Sequence, residues 1–334
     1  MPESVALAAA VQAGRWAAAA CRAVRSAADP SALDKSDKSP VTVADFAAQA
    51  LVCRALAEAF PNDPVVGEED AAALRSGEQA KFASQVLDAV NLAGRQFDLP
   101  AATLDDVLGW IDRGGAEGGG RFWTVDPIDG TKGFLRGGQY AVAIALIENG
   151  VPTVGVLACP NLPRNGGDDA GDTGALFAAR RGDGATVRSL GTNSTPTAIF
   201  TSPQADPAAA RVCESVESGH TAHGAAAEIA ARLGVSAEPL RLDSQAKYAE
   251  VARGGAEIYL RLPTRPGYVE RIWDHAAGVA VIEEAGGRVT DVDGRPLDFT
   301  HGRGLERNRG VIATNGPLHD AVLEAAAAVL APRP

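Results

Sequence analysis

Trp123-Thr124-Val125-Asp126-Pro127-Ile128-Asp129-Gly130-Thr131 is the most informative stretch of this chain. Arg121 to Ile128 is apolar and β-prone and reads as a strand that ends in two aspartates. The proline between them fixes its own φ and has no N–H to give to a ladder, so the strand turns here. Asp126 and Asp129 can then converge on one point at the strand end. The Ile128 carbonyl, released from the ladder, offers a third oxygen. Hard divalent cations such as magnesium take oxygen shells of this kind. Gly130-Thr131 should open the next helix, whose unpaired N–H groups suit a phosphate. An Asx-turn with Asp129 as a helix cap accounts for two aspartates equally well.

Other acids stand in similar settings. Val65-Val66-Gly67-Glu68-Glu69-Asp70 puts three carboxylates directly after a short apolar strand, where either a cation or solvent must relieve their repulsion. Ile272-Trp273-Asp274-His275-Ala276-Ala277-Gly278 sets an aspartate at the start of a small-residue helix, where it could also simply complement the dipole. Asp45 lies three residues after Thr42, the spacing of a capping box. A carboxylate fixed there beside metal ions could equally orient or deprotonate a water.

Composition narrows the class. The 334 residues are 46% hydrophobic and carry 31 basic against 42 acidic side chains, a formal charge of −11. That excess excludes a nucleic-acid polymer as partner, because affinity for one comes from Lys and Arg on phosphates. A small phosphorylated substrate is compatible with it once metal ions offset carboxylates locally. Cys21, Cys53, Cys159 and Cys213 are widely spaced with no CxxC pair, so buried free thiols in a reducing compartment are expected, and no zinc or disulfide framework. His220, His223 and His275 are not at zinc spacing either. No stretch is apolar enough to span a bilayer or to serve as a signal h-region. The Arg-bearing, acid-poor N-terminus could imitate a transit peptide but reads as a first helix. The expectation is a cytoplasmic monomer with no membrane contact.

Helices are expected at 3–27, at about 42–60 and over most of 78–112, with 114–120 as a mobile glycine-rich connection. Strands 140–148 and 151–159 flank Asn149-Gly150, a hairpin signal because both residues accept positive φ. The second half alternates strands (175–180, 185–190, 197–201, 239–242, 257–262, 287–291, 310–314) with helices (206–217, 222–233, 245–253, 274–285, 316–331). The Gly- and Asp-rich 165–174 reads as a surface loop, since it lacks the terminal glutamate of a calcium loop. The pattern implies layered helix and sheet divided near residue 160. Residues 1–160 would be an α+β domain with most metal ligands. Residues 161–334 would be an α/β domain with Asp274.

Together Asp126-Pro-Ile-Asp-Gly-Thr131, Gly67-Glu-Glu69 and Trp273-Asp-His-Ala-Ala-Gly278 resemble the lithium-sensitive, magnesium-dependent phosphatase superfamily that includes inositol monophosphatases and fructose-1,6-bisphosphatases. Finding three motifs in order is far more specific than any one. Thr131-Lys-Gly-Phe-Leu-Arg-Gly137, Leu242-Asp-Ser-Gln-Ala-Lys-Tyr248 and Tyr259-Leu-Arg-Leu-Pro263 resemble its 3′(2′),5′-bisphosphate nucleotidase branch. The likeness runs from about residue 5 to 325. Gly138 departs from it, where glutamate is common, and so does Ser218, where a lysine often precedes the Gly-His pair.

The resemblance implies an αβαβα sandwich and release of the 3′-phosphate of 3′-phosphoadenosine 5′-phosphate, and of its phosphosulfate form. It implies about two or three magnesium ions held by Glu68, Asp126, the Ile128 carbonyl, Asp129 and Asp274. Asp45 and Thr131 would polarise the attacking water. Gly130 and Thr131 would meet the phosphate, and His220, Ser244, Lys247 and Arg261 the nucleotide. An inositol phosphatase with the same metal chemistry, or a nucleotide sensor without turnover, are the rivals. Trp123 and Trp273 read as packing beside the ligands rather than as base-stacking platforms.

Overall fold

The computed structural model describes residues 4–26, 32–34, 40–76, 79–166, 174–191, 194–216, 222–265 and 267–331. Helix α1 (Val5–Ser26) is followed by the antiparallel pair β1 (Ala32–Asp34) and β2 (Pro40–Thr42), then α2 (Val43–Ala59) and β3 (Val65–Gly67). Next come α3 (Ala80–Arg95), α4 (Leu104–Asp112), β4 (Arg121–Asp129), α5 (Thr131–Arg136), β5 (Ala141–Glu148) and β6 (Val151–Cys159). Strands β7 (Ala175–Arg180), β8 (Gly184–Ser189) and β9 (Thr197–Ile199) complete a seven-stranded sheet in chain order from β3 to β9. It is antiparallel except for β3 against β4. The division expected near residue 160 falls between β6 and β7, hydrogen-bonded neighbours in this sheet.

The remaining elements are β10 (Val212–Glu214), α6 (His223–Arg232), β11 (Leu240–Arg241), α7 (Ala246–Ala252), β12 (Ile258–Arg261), α8 (Ala276–Glu284), β13 (Arg288–Thr290), β14 (Val311–Thr314) and α9 (His319–Leu330). Five strands form a second sheet ordered β11-β10-β12-β14-β13.

Three apolar cores separate five layers. One face of the large sheet (Val125, Ile144, Val156) packs on α1 to α4. Its other face (Ala143, Leu157, Phe177) packs on α7 and α8, which also cover Tyr259 and Ala313 of the small sheet. The far face of the small sheet (Ile258, Leu260, Ile312) packs on α6 and α9. Strands buried on both faces must be apolar throughout, which is why β5 reads Ala-Val-Ala-Ile-Ala-Leu-Ile. This is the αβαβα sandwich. No helix among the described residues is long and apolar enough to cross a membrane.

Several expectations need correction. Segment 206–217 is a 3-10 turn at Pro207–Ala209 and then β10, not a helix. Pairing with β11 and β12 on both sides overrides any local helical preference of that alanine-containing stretch. The helix expected over 78–112 is two helices. Asp98 at φ 55° and Pro100 break it, and Thr103 opens the second with its own capping box. The 114–120 connection is anchored at its start, because Gly67 N donates to Gly114 O at 2.7 Å and Gly115 bridges to Val66. A Cβ on Gly114 would lie 2.6 Å from Gln49 Nε2, so that glycine serves close approach rather than mobility.

Candidate active site

Side chains three residues apart on a regular strand point to opposite faces. β4 avoids this with a register shift: Asp126 pairs with Ala143 and Asp129 with Ala141, so three steps on one strand oppose two on the other. The extra residue re-aims Asp129, as bulges commonly do beside active sites. Gly130 follows at φ 86°, a left-handed position that also brings it against Ser244, where a Cβ would approach Ser244 Cβ to 3.1 Å. Helix α5 has only six residues.

Glu68 arrives from the parallel neighbour. Gly67 pairs with Val125, and Glu68 N donates to Val125 O at 3.1 Å, which sets Glu68 level with Asp126. Gln49, fully buried in the apolar α2, fixes that turn. Its Nε2 donates to Glu69 O (2.6 Å) and Ile111 O (3.1 Å), and its Oε1 accepts from Glu69 N (2.9 Å). Asp274 comes from the 3-10 turn Ile272–Asp274, which packs over β4 and β5.

Asp45 fills the capping role suggested for it, and its second oxygen faces Thr131. Oδ2 accepts from Thr42 N (2.7 Å) and Thr42 Oγ1 (2.6 Å), completing the capping box of α2. Oδ1 faces Thr131 Oγ1 at 3.4 Å, and the same hydroxyl lies 3.2 Å from Ile128 O. The pair is thus brought together beside the β4 end that carries Asp126 and Asp129.

Electrostatics distinguish two sets of acids. Burial, and then Asp274, push the Asp129 carboxyl up, against the pull of Lys247, Arg261 and the Gln245 N–H. Asp274 is also pushed up, by burial above all, with Glu270 and Glu68 adding to it. Carboxylates crowded in this way fit a hard divalent cation, whose charge would remove their repulsion and whose oxygen preference matches the donor set of Glu68, Asp126, Asp129, Asp274 and the Ile128 carbonyl. Glu270 is the opposite case. Burial would raise it, but Arg261 at 2.7 Å, with His275, holds it down to about 2. Among the described residues, Glu270, Asp274 and His275 place ligand-type atoms closest together. Arg261 already lies between the two acids, 2.9 Å from Asp274, so that trio is an ion-pair network. Ionised Glu270 can only accept, so His275 Nε2 donates to it (3.3 Å) and Nδ1 accepts from Tyr248 OH (2.7 Å).

The nucleotide-side residues are distributed unevenly. His220 lies outside the described residues. Ser244 sits beside Gly130 at φ 65°, its Oγ accepting from Ala246 N. Lys247 is only 3% exposed, with Nζ donating to Ser244 O (2.8 Å) and Leu242 O (3.2 Å), so two of its three donors already brace the loop. Arg261 is shared between Glu270 and Asp274 as described. Next to this loop an open cleft of about 540 Å³ is lined by Arg136, Gly138, Arg241 and Asp243 among others. Arg136 pairs with Asp243 at 2.7 Å. A Cβ on Gly138 would meet only ordinary contacts, the nearest at 3.5 Å, so glycine there is not forced by crowding.

Gln245 escaped sequence reasoning. Its N–H donates to Asp129 Oδ2 (2.5 Å), Nε2 donates to Trp273 O (2.9 Å) and Oε1 accepts from Gly278 N (3.1 Å). One residue therefore ties Asp129, through its backbone N–H, to the turn of Asp274, through its fully buried side chain. An amide at the start of α7 was the available signal, as was the lone amide of Gln49 within the apolar α2. Trp123 is packing, with Nε1 on Asp63 Oδ2 (3.1 Å) and its ring against Phe60. All four cysteines are free and buried, and burial pushes every thiol up.

Comparison with known proteins agrees with this geometry. The profile described as "Inositol monophosphatase family" matches residues 3–330. A Schizosaccharomyces pombe protein named 3′(2′),5′-bisphosphate nucleotidase is 46% identical over 310 residues, covering 91% of this chain and 88% of its own. An Oryza sativa protein of the same name is 44% identical over 339 residues, covering 97% and 94%. The structure of the Thermotoga maritima IMPase superposes with a TM-score of 0.65 at 21% identity, covering 96% of each chain, which bears on the fold alone. Enzymes of this family are metal-dependent. The chain belongs to the inositol monophosphatase family.

Proposed function

We propose that this chain is a magnesium-dependent 3′(2′),5′-bisphosphate nucleotidase. It hydrolyses the 3′-phosphate of 3′-phosphoadenosine 5′-phosphate, and of its phosphosulfate form, to leave the 5′-nucleotide and phosphate. The observation that carries the reading is the convergence of Glu68, Asp126, Asp129 and Asp274 at one strand end, with the Asp45–Thr131 pair beside them. The names of relatives at 44–46% identity support the substrate.

Glu68, Asp126, the Ile128 carbonyl, Asp129 and Asp274 would hold about two or three magnesium ions. Such ions supply Lewis acidity, lowering the pKa of water and stabilising the leaving oxygen. Thr131 Oγ1 would accept a hydrogen bond from the attacking water, and with the Ile128 carbonyl engaged by a metal ion its own proton would turn to Asp45 Oδ1, 3.4 Å away, so that Asp45 draws the proton through Thr131. The capping bonds on Asp45 Oδ2 keep the carboxylate oriented for this. Gly130 and Thr131 meet the phosphate, with Ser244 packed against Gly130. No side chain here is placed as a covalent nucleophile, so the water attacks phosphorus directly. Ser244, Lys247, Arg261 and His220 contact the nucleotide, and two of the three Lys247 donors also brace the loop that carries Ser244. Four buried, unpaired thiols suit a reducing compartment such as the cytoplasm.

The test is phosphate release with magnesium from 3′-phosphoadenosine 5′-phosphate, inositol 1-phosphate and fructose 1,6-bisphosphate. Turnover of the nucleotide far above both sugar phosphates is expected. A preference for either sugar phosphate would keep the metal chemistry and overturn the nucleotide contacts.

A further inference from the structure

We propose that Arg303 is a positioning residue for the metal centre, locking the turn that carries Glu68 to the turn that carries Asp274. The inference rests on the metal reading of those acids. Strand β3 ends the seven-stranded sheet and has only three residues, so little backbone pairing holds Glu68 in place. On that side Arg303 Nη2 donates to the carbonyl of Gly67, the residue before Glu68. The same guanidinium lies over the ring of Trp273, the residue before Asp274, with Cζ 4.7 Å from the centroid.

The backbone that launches Arg303 is itself stitched to the Asp274 turn. Ile272 N donates to Arg303 O (3.3 Å), Leu305 N donates to Glu270 O (2.8 Å), and Gly304 bridges to Arg271. A Cβ on Gly304 would lie 2.9 Å from Val269 Cγ1, so the close approach needs glycine, and fully buried Leu305 anchors the loop. The side chain therefore starts from one ligand-bearing turn and ends on the other. A planar guanidinium can donate in its plane while stacking through its face, which a lysine cannot do. Charge alone would work against this placement, because a cation beside metal ligands disfavours a second cation. The gain from Arg303 must come from geometry, as it does for groups that orient metal ligands elsewhere.

The test uses Arg303→Met and Arg303→Lys, read by the magnesium concentration that gives half of the maximal thermal stabilisation, with KM for the bisphosphate measured at saturating magnesium. The midpoint should rise about tenfold or more in Arg303→Met, with KM unchanged. Arg303→Lys should recover part of the loss, which charge could not explain. Arg271→Met removes the other cation over Trp273, at 5.8 Å, and should leave the midpoint unmoved. A midpoint for Arg303→Met equal to or below that of the wild type would overturn the proposal, as would Arg303→Lys behaving no better than Arg303→Met. If wild-type protein shows no magnesium-dependent stabilisation, the metal reading itself fails and this inference falls with it.

Discussion

Asp274 and Glu270 share one arginine, yet they are held in opposite ways. Glu270 has Arg261 at 2.7 Å and His275 behind it, and stays ionised far below the usual range despite its burial. Asp274 also touches Arg261, at 2.9 Å, but burial and the acids around it win, and with Asp129 it is pushed up. Within a few residues the fold compensates one carboxylate completely and leaves its neighbours over-charged. A buried acid is retained in such a state only where something else neutralises it. The compensated acid therefore reads as framework, and the crowded pair as suited to a divalent cation.

The largest test of that contrast is Asp126→Asn, which removes a donor from the proposed ligand set around Asp129 and Asp274. Its kcat/KM for the bisphosphate should fall by more than about a thousandfold, with thermal stability in the absence of metal equal to or above the wild type. A fall of less than tenfold would place Asp126 outside the reaction. Glu270→Gln breaks the compensated set instead. It should destabilise the protein by about 3 kcal/mol, because Arg261 loses its buried partner, as read by urea unfolding. A neutral result would mean that Asp274 alone satisfies Arg261. Gln245→Leu acts between the two sets. It keeps the backbone N–H on Asp129 but unties that loop from the Trp273 turn, and should weaken magnesium binding roughly 10- to 100-fold, as measured by the magnesium dependence of turnover.

The smallest effect concerns a compensated polar cluster far from the site. His319, fully buried, has Nε2 on Thr290 Oγ1 (2.9 Å) and Nδ1 on Thr314 Oγ1 (3.0 Å). Thr290 gives its proton to Asp291 O, so Nε2 must be the donor and the ring is neutral. Burial holds the pKa down to about 4. Because the folded value lies below the ordinary 6.5, this contribution is complete above about pH 6.5 and is lost as the pH falls toward 4. By about pH 5.8 the loss should be roughly 1 kcal/mol. His319→Gln should flatten that part of the stability profile, and an unchanged profile would show that His319 protonates freely in place.

The over-charged set was legible in the sequence because each acid follows its own strand or precedes its own helix, and a metal site needs several such ends. Layering was legible for the same reason: β5 and β6 are apolar on both faces, and Asn149-Gly150 closes their hairpin. The compensating groups were not. Arg261, Glu270 and His275 become a network only through the crossing of β12 with the 272–274 turn, and no local period records that contact. That Lys247 also braces its own loop, with Nζ on two of its carbonyls, was not legible either. β10 was hidden because its pairing with β11 and β12 is non-local.

Calorimetric titration with magnesium of the wild type, Asp126→Asn and Glu270→Gln tests the central claim most directly. The account predicts binding to the wild type, none in the same range to Asp126→Asn, and retained binding to folded Glu270→Gln. Magnesium binding Asp126→Asn as it binds the wild type would contradict it.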